Sequence, residues 1–471
     1  MPQVSNDLRR DLGLFTAIAI VIGTTIGSGI FIVPKTMILT MGSPAMVFAV
    51  WVAGGLLSLF GTLTYAELAS MYPEAGGEYV YLREAYGPFW GFTFGWSQTW
   101  VGRSGSMATL ATGMFLYFAY FIPALENVAF TVPLPIGPNF GPLDIRWGQL
   151  LGIAVIVALA WLNSLGVRLG GRVHLILTVV KLSLIGSVIF GGLFFGHGDW
   201  GHLGLNIAPT DTGGLFQRFF GALVAALWAY EGWNTVSMMG SEVKDPERNL
   251  PRALVGGILG IIAIYLTATA TYFYVLTPVE ISQGDRVAAE MMRHVFGAKG
   301  AAAVSLAAML SILAALNGTL LGGSRIPFAM ARDGLFWARA ASVNPRHGTP
   351  NFAIGVIAAT SALILLSGRY EELFTCVIFS SWILYGMAGF SVIVLRRKHP
   401  EIPRAYRVPG YPYLPVLFTA TAGVLLCATM LRSPRESLIG LVIIGLGIPY
   451  YLRQRSQIAK DVTAGLAKPL P

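Results

Sequence analysis

The most unusual chemistry for its surroundings is a run of small and polar residues inside a long apolar segment, Gly23-Thr24-Thr25-Ile26-Gly27-Ser28-Gly29. Each glycine costs a helix about 1 kcal/mol against alanine. The run therefore predicts a helix that unwinds near Ile26–Gly29 and restarts around Ile30. A helix start presents N–H groups without intrahelical acceptors and roughly half a positive charge, which suits a carboxylate. Close helix packing through Gly27 and Gly29 is the other use of the same small residues. A second interruption, WAYEGWN (228–234), places Glu231-Gly232 among apolar residues. A helix ending near Trp228–Tyr230 aims its last carbonyls into that gap, where partial negative charge suits an ammonium group.

Three ionisable residues stand in otherwise apolar spans. Lys181 is central in HLILTVVKLSLIGSV and lies on one helical stripe with His174 and Thr178. A lysine at that depth costs about 2.5–3.5 kcal/mol if it faces lipid, so it must face protein. Its ammonium could occupy a cation site, tether its helix to the first break, or serve as a structural tie alone. Glu231 could hold a cationic substrate side chain, exchange a proton, or pair with an interior donor. Arg103, on a stripe with Thr99, Ser106 and Gly113, reads as a structural hydrogen-bond hub. Asn234 and Asn317 are candidate polar contacts to the same cavity, and Glu67 reads as structural.

These residues need a scaffold, and composition names the medium. The chain has 471 residues, 55% hydrophobic and 12% charged, with a mean hydropathy of +0.65. A soluble domain carries about a quarter charged residues, so this is an integral membrane protein. A span needs about 20 apolar residues. Twelve are predicted, at roughly 12–40, 44–71, 88–121, 147–166, 172–195, 214–241, 251–276, 299–324, 351–367, 371–395, 412–431 and 436–452. Residues 1–11 are short and polar, and the apolar run after them is too long for a cleavable leader. The two cysteines, Cys376 and Cys427, fall inside spans and imply no disulfide framework.

The net charge of +9 belongs to loops rather than to nucleic-acid binding. With the N-terminus in the cytoplasm, 21 of the 32 Lys and Arg residues fall on the inner side. Both termini are then cytoplasmic, and RRKHPEIPRAYR (396–407) is the strongest inner marker.

The two breaks open two five-span blocks about 200 residues apart. Paired broken helices in matching positions point to a transporter's binding site. An odd number of spans inverts the second block, so 12–195 and 214–395 are predicted as inverted repeats, with two additional helices over 412–452, all within one transmembrane domain. The anion and cation ends then meet at mid-membrane and describe a pocket for a free α-amino acid. It is lined by Thr25, Ile26, Gly27, Ser28, Gly29, Trp228, Ala229, Tyr230 and Glu231, with Trp228, Tyr230 and Trp233 as closing rings. No HExxH, GxSxG or GxxxxGK[ST] occurs and the six histidines show no ligand spacing, so neither enzyme chemistry, a metal nor a cofactor is expected.

GTTIGSGIF, YAELASMYPEAGGEYVYLREAYG (65–87), WAYEGWNTVSMMGSEVKDPERNLPRAL (228–254) and ALNGTLLGGSRIPFAMARDG (315–334) together resemble the L-type amino acid transporters of the amino acid–polyamine–organocation superfamily. The resemblance runs through most of the chain. It implies an all-α, twelve-helix fold with a five-plus-five inverted repeat (LeuT-like), helices 1 and 6 broken. It implies that Thr25 to Gly29 hold the substrate carboxylate and that Trp228 to Glu231 supply carbonyls and a gate. Lys181 falls where a helix-5 lysine stands in for sodium in sodium-independent members. Arg103 falls where several members carry a basic residue. The implied function is sodium-independent amino acid exchange (antiport), with proton-coupled symport as the alternative.

Two departures stand out. Many members have a small residue at Glu231, and an acidic one resembles the branch that takes dibasic as well as neutral amino acids. Residues 122–146 lack the cysteine with which animal members bond a heavy chain. A free-standing, prokaryotic carrier of the inner membrane is implied.

Overall fold

In the computed structural model the described residues are 8–133, 143–284, 286–366 and 370–463. The first apolar segment splits as expected, into α1 (Leu14–Thr25) and α2 (Gly29–Met41). α3 (Pro44–Met71), the short α4 (Glu78–Tyr86), α5 (Pro88–Ser97) and α6 (Arg103–Phe118) follow. The third expected span is therefore not one uniform helix. A π turn over Gln98–Gly102 joins α5 to α6, inserting an extra residue just before Arg103 and re-aiming that face.

α7 (Trp147–Ser164) and α8 (Val167–Phe195) complete the first half. The second half holds α9 (Leu215–Ala229), α10 (Pro246–Val275), α11 (Pro278–Gln283), α12 (Val287–Gly323), α13 (Arg325–Arg332), α14 (Asn351–Leu365) and α15 (Tyr370–Lys398). α16 (Tyr413–Arg432) and α17 (Pro434–Thr463) end the described chain.

The fold departs from expectation in three further places. The sixth expected span breaks where expected, α9 ending at Ala229, but beyond the break the chain runs as 3-10 turns over Thr235–Met238 and Gly240–Glu242 rather than as a second half-helix to residue 241. Gly232 adopts φ +107 there, which a residue with a side chain rarely adopts. The eighth expected span, 299–324, starts just after a kink at Phe296-Gly297 in α12, and an additional helical stretch from Val287 precedes it. The all-α expectation misses a two-stranded antiparallel ribbon, β1 (Val128–Val132) with β2 (Leu143–Arg146), in the connection to α7. Residues 134–142 between those strands and 367–369 at the ends of the ninth and tenth expected spans lie outside the described residues.

Among the described residues nine helical stretches are long and apolar enough to cross a membrane, and α9 and α14 are shorter apolar helices. α1 sits at the centre, packed on α10, α8 and α12, while α2 packs on α9. Around them α3 lies along α10, α6 along α12, and α7 along α14. The buried ion pairs fasten the loops. Glu67 at the end of α3 accepts from Arg396 at 2.8 and 2.7 Å and from the Val408 N–H at 2.7 Å, which agrees with its structural reading. Arg83 on α4 donates to Asp333 at 2.7 Å beside the 2.6 Å bond from the Tyr79 hydroxyl. Burial alone would lower the Arg83 pKa, but Asp333 holds it above the usual guanidinium value.

Candidate functional site

The two breaks meet. Ile26 ends α1 with ψ 93, turning the backbone out of the helix. Gly29 opens α2 so close to the end of α9 that a Cβ there would stand 2.6 Å from the Ala229 Cα. A Cβ on Gly232 would stand 3.0 Å from the Thr24 side chain. Glycine is thus required here by backbone approach as well as by helix termination. α2 starts at the gap with the Gly29 and Ile30 N–H groups at its first two positions, while the Phe31 N–H is bonded to the Ser28 carbonyl at 3.1 Å. Tyr265 from α10 bridges the breaks, its hydroxyl lying 2.6 Å from the Ala229 carbonyl and 3.3 Å from that of Thr25.

Lys181 reaches the first break from α8. Its Nζ donates to the carbonyls of Gly23 at 2.7 Å, Ile26 at 2.5 Å and Ser311 at 3.3 Å. Three acceptors match the three hydrogens of an ammonium group. The Ser311 hydroxyl also donates to the Ile26 carbonyl at 3.1 Å, bringing α12 into the cluster. The stripe expected with Lys181 is present. Thr178 and His174 both meet the Ala19 carbonyl, at 3.4 and 3.0 Å.

Arg103 is buried on the other side of the gap. It donates to Asn234 Oδ1 at 2.9 Å, Tyr385 at 3.3 Å and Thr235 at 3.3 Å. Glu231 Oε1 lies 3.9 Å from Arg103 and accepts from the Tyr385 hydroxyl at 2.8 Å. Asn234 also donates to Glu78, which α4 inserts beneath the break. Arg103 thus joins α6 to the second break and to α15, and Glu231 is held by Tyr385 beside it.

A cavity joins these parts. Its lining includes Thr25, Gly27, Ser28, Gly29, Trp228 and Glu231, together with Arg103 and Thr319. The space available to water-sized occupants is about 20 Å³, far below the roughly 300–1,000 Å³ of ordinary ligand pockets. The conformation is closed on itself, and a ligand the size of an amino acid enters only if the breaks separate.

Several expected residues fall elsewhere. The Ile26 and Ala229 carbonyls are engaged by Lys181 and Tyr265. Tyr230 turns away, its hydroxyl on the Trp51 carbonyl at 3.2 Å. Trp233 packs edge-on against Tyr65 with centroids 4.8 Å apart. Trp228 alone of the three expected rings lines the cavity. Asn234 lies behind the lining, on Arg103 and Glu78. Asn317 faces the opposite way, accepting from Asn163 at 2.7 Å and donating to the Gly170 carbonyl at 3.3 Å. Thr319, two residues on, takes the lining position instead. Sequence reasoning misses Tyr265, Ser311, Tyr385 and Glu78, and only Glu78 carries a signal, a charge beside Gly76-Gly77 in the loop motif.

Residues 12–448 match the amino acid permease family model. The chain belongs to the amino acid permease family. It is 33% identical to the serine/threonine exchanger SteT of Bacillus subtilis over 98% of this chain and the whole of that protein. It is 30% identical to the human b(0,+)-type amino acid transporter 1, covering 98% of this chain and 93% of the relative. Identity to the mouse Asc-type amino acid transporter 1 is 31%, over 94% and 81%. The family and its superfamily agree with the resemblance carried by the four motifs. These relatives are transporters, not enzymes, so amino acid transport across a membrane by a multi-pass protein is the function class of this permease.

Proposed function

We propose that this permease is a sodium-independent exchanger of neutral L-amino acids, extending to cationic ones, working by alternating access. The observation that carries this reading is the seat of Lys181. Backbone carbonyls of Gly23 and Ile26 at the first break and of Ser311 on α12 form the kind of oxygen cage that suits a small hard cation, and the lysine Nζ occupies it. A tethered cation supplies the charge that a sodium ion would bring, so transport needs no sodium. The substrate carboxylate meets the N–H groups of Gly27 to Gly29, and its ammonium group meets the carbonyls that close α1 and α9. The name of the Bacillus relative makes serine and threonine the first substrates to try.

Twelve spans and a five-plus-five inverted repeat of the LeuT-like kind fit this reading. The nine long spans, the shorter α9 and α14, and the interrupted α5–α6 bring the number to twelve. In an inverted repeat α1 corresponds to α9, α3 to α10, α6 to α12 and α7 to α14, and the last three pairs are in contact. Both termini and the arginine-rich 396–407 loop lie on the cytoplasmic side by the positive-inside rule. A disulfide-linked heavy chain is not part of the reading, because residues 122–146 contain no cysteine.

Proteoliposomes preloaded with serine are expected to take up labelled threonine equally well in sodium and choline buffers. A strict sodium requirement would refute the proposal. A second reading, proton-coupled symport, draws on the chain of buried groups Glu231, Tyr385, Arg103, Asn234 and Glu78. Uphill uptake into empty vesicles under an inward proton gradient would favour it.

The Arg103 pairing also sets a prediction for Glu231. Glu231→Gln leaves a buried guanidinium without its carboxylate, which costs about 3–5 kcal/mol when one partner of a buried pair is removed. Exchange of serine, leucine and lysine is expected to fall alike, by about tenfold or more. A loss confined to lysine and arginine uptake would instead assign Glu231 to a cationic substrate side chain.

A further inference from the structure

Away from the breaks, the N-terminal segment, the turn between α7 and α8 and the 344–349 loop enclose a cleft. Arg9, Arg168, Arg172 and Arg346 line it with His347 and one carboxylate, Asp11. The free space is about 260 Å³. Arg168 and Arg172 stand one turn apart on α8 and so face the same way. Arg9 is laid over the loop, since a Cβ on Gly348 would touch its Cδ at 3.3 Å. All four arginines are exposed, and among the described residues none forms an ion pair with a carboxylate. This contrasts with Arg83, Arg325 and Arg396, each bonded to an acid. Four guanidinium groups against one carboxylate leave the hollow with excess positive charge, and an anion relieves the repulsion among them. The first turn of the 29-residue α8 adds its dipole to the same hollow.

The neighbouring surface indicates where the anion comes from. Leu169 belongs to the cleft and is itself 41% exposed. Trp161, one turn before α7 ends, is 67% exposed, and Val157 below it is exposed too. An open tryptophan at the end of an apolar helix marks the level of lipid headgroups. The cleft therefore opens at the edge of the lipid-facing surface, not into a soluble domain.

We propose that this cleft is a binding site for the phosphate of an anionic phospholipid, whose acyl chains lie along Leu169, Trp161 and Val157. Arginine forks fit phosphate oxygens bidentately. The site clamps three separate segments, so an occupied cleft ties the N-terminus to the α7–α8 turn and the 344–349 loop.

The test uses the full chain in neutral detergent, titrated with dioleoyl phosphatidylglycerol, dioleoyl phosphatidylcholine or inorganic phosphate. Thermal unfolding and native mass spectrometry are the readouts. Phosphatidylglycerol is expected to bind and raise the midpoint, while phosphatidylcholine at the same concentration does neither. Arg168→Gln and Arg346→Gln are each expected to weaken phosphatidylglycerol about fivefold, the equivalent of about 1 kcal/mol per basic residue near an anionic surface. Arg346→Gln sits on an exposed loop and keeps the test valid if the helix variant folds poorly. Equal effects of the two lipids, or unchanged binding by the arginine variants, would overturn the proposal. A full shift from inorganic phosphate alone would make the site one for a free anion and overturn the lipid assignment.

Discussion

Lys181→Ala is expected to remove at least about nine-tenths of exchange activity while leaving a folded, extractable protein. The side chain satisfies three buried carbonyls, at Gly23, Ile26 and Ser311. A buried acceptor without a donor costs about 1–3 kcal/mol, and each 1.4 kcal/mol is a factor of ten in an equilibrium constant. The loss falls on the unwound segment between α1 and α2, whose Ile26 carbonyl is turned out of the helix and held by Lys181 and Ser311. The rest of α8 and α12 keeps its packing. Labelled exchange in proteoliposomes and thermal unfolding of the same preparation separate the two effects. A variant that exchanges normally would remove Lys181 from the mechanism, and one that fails to fold would make it a purely structural tie.

Gly29→Ala is expected to be nearly as damaging, for a steric reason. The added methyl would stand 2.6 Å from both the Cα and the Cβ of Ala229. Backbone cannot swing aside as a flexible side chain can, so α2 and α9 must separate. Overpacking of a tight site costs about 1–3 kcal/mol, and here the strain acts across the two elements that must close together. Gly186→Ala on α8 is the matched control, because nothing lies within 4 Å of its would-be Cβ. Loss of exchange in the first variant with wild-type exchange in the second is the expected pair of results. Normal exchange by Gly29→Ala would show that the breaks do not need this close approach.

Residues that violate their surroundings are legible in the sequence. Glycines clustered in an apolar span, a lysine at mid-helix and an arginine among threonines and serines each stand out against lipid-compatible sequence. The first break falls within one residue of its expected place, because glycine and serine there are incompatible with continued helix. Tyr265, Tyr385 and Ser311 are not legible, since a tyrosine or serine in an apolar helix reads as ordinary core. Only the fold shows that their hydroxyls reach a break. Asn317 misleads for the opposite reason: a polar side chain in a span must find a partner, but sequence does not say on which face. The π turn before Arg103 and the β1–β2 ribbon arise from local backbone choices that hydrophobic periodicity does not register.

The hydroxyl of Tyr265 has a consequence for affinity. It already donates to the carbonyl of Ala229 and lies beside that of Thr25, the same acceptors that a substrate's ammonium group is proposed to use. The protein thus carries its own internal rival for the site. An incoming amino acid is measured against a ligand that never dissociates, and its observed affinity is the difference between two similar hydrogen-bond sets. A carrier that must let go of its cargo on both sides of the membrane benefits from that subtraction, because the rival restores the empty site as soon as the cargo leaves.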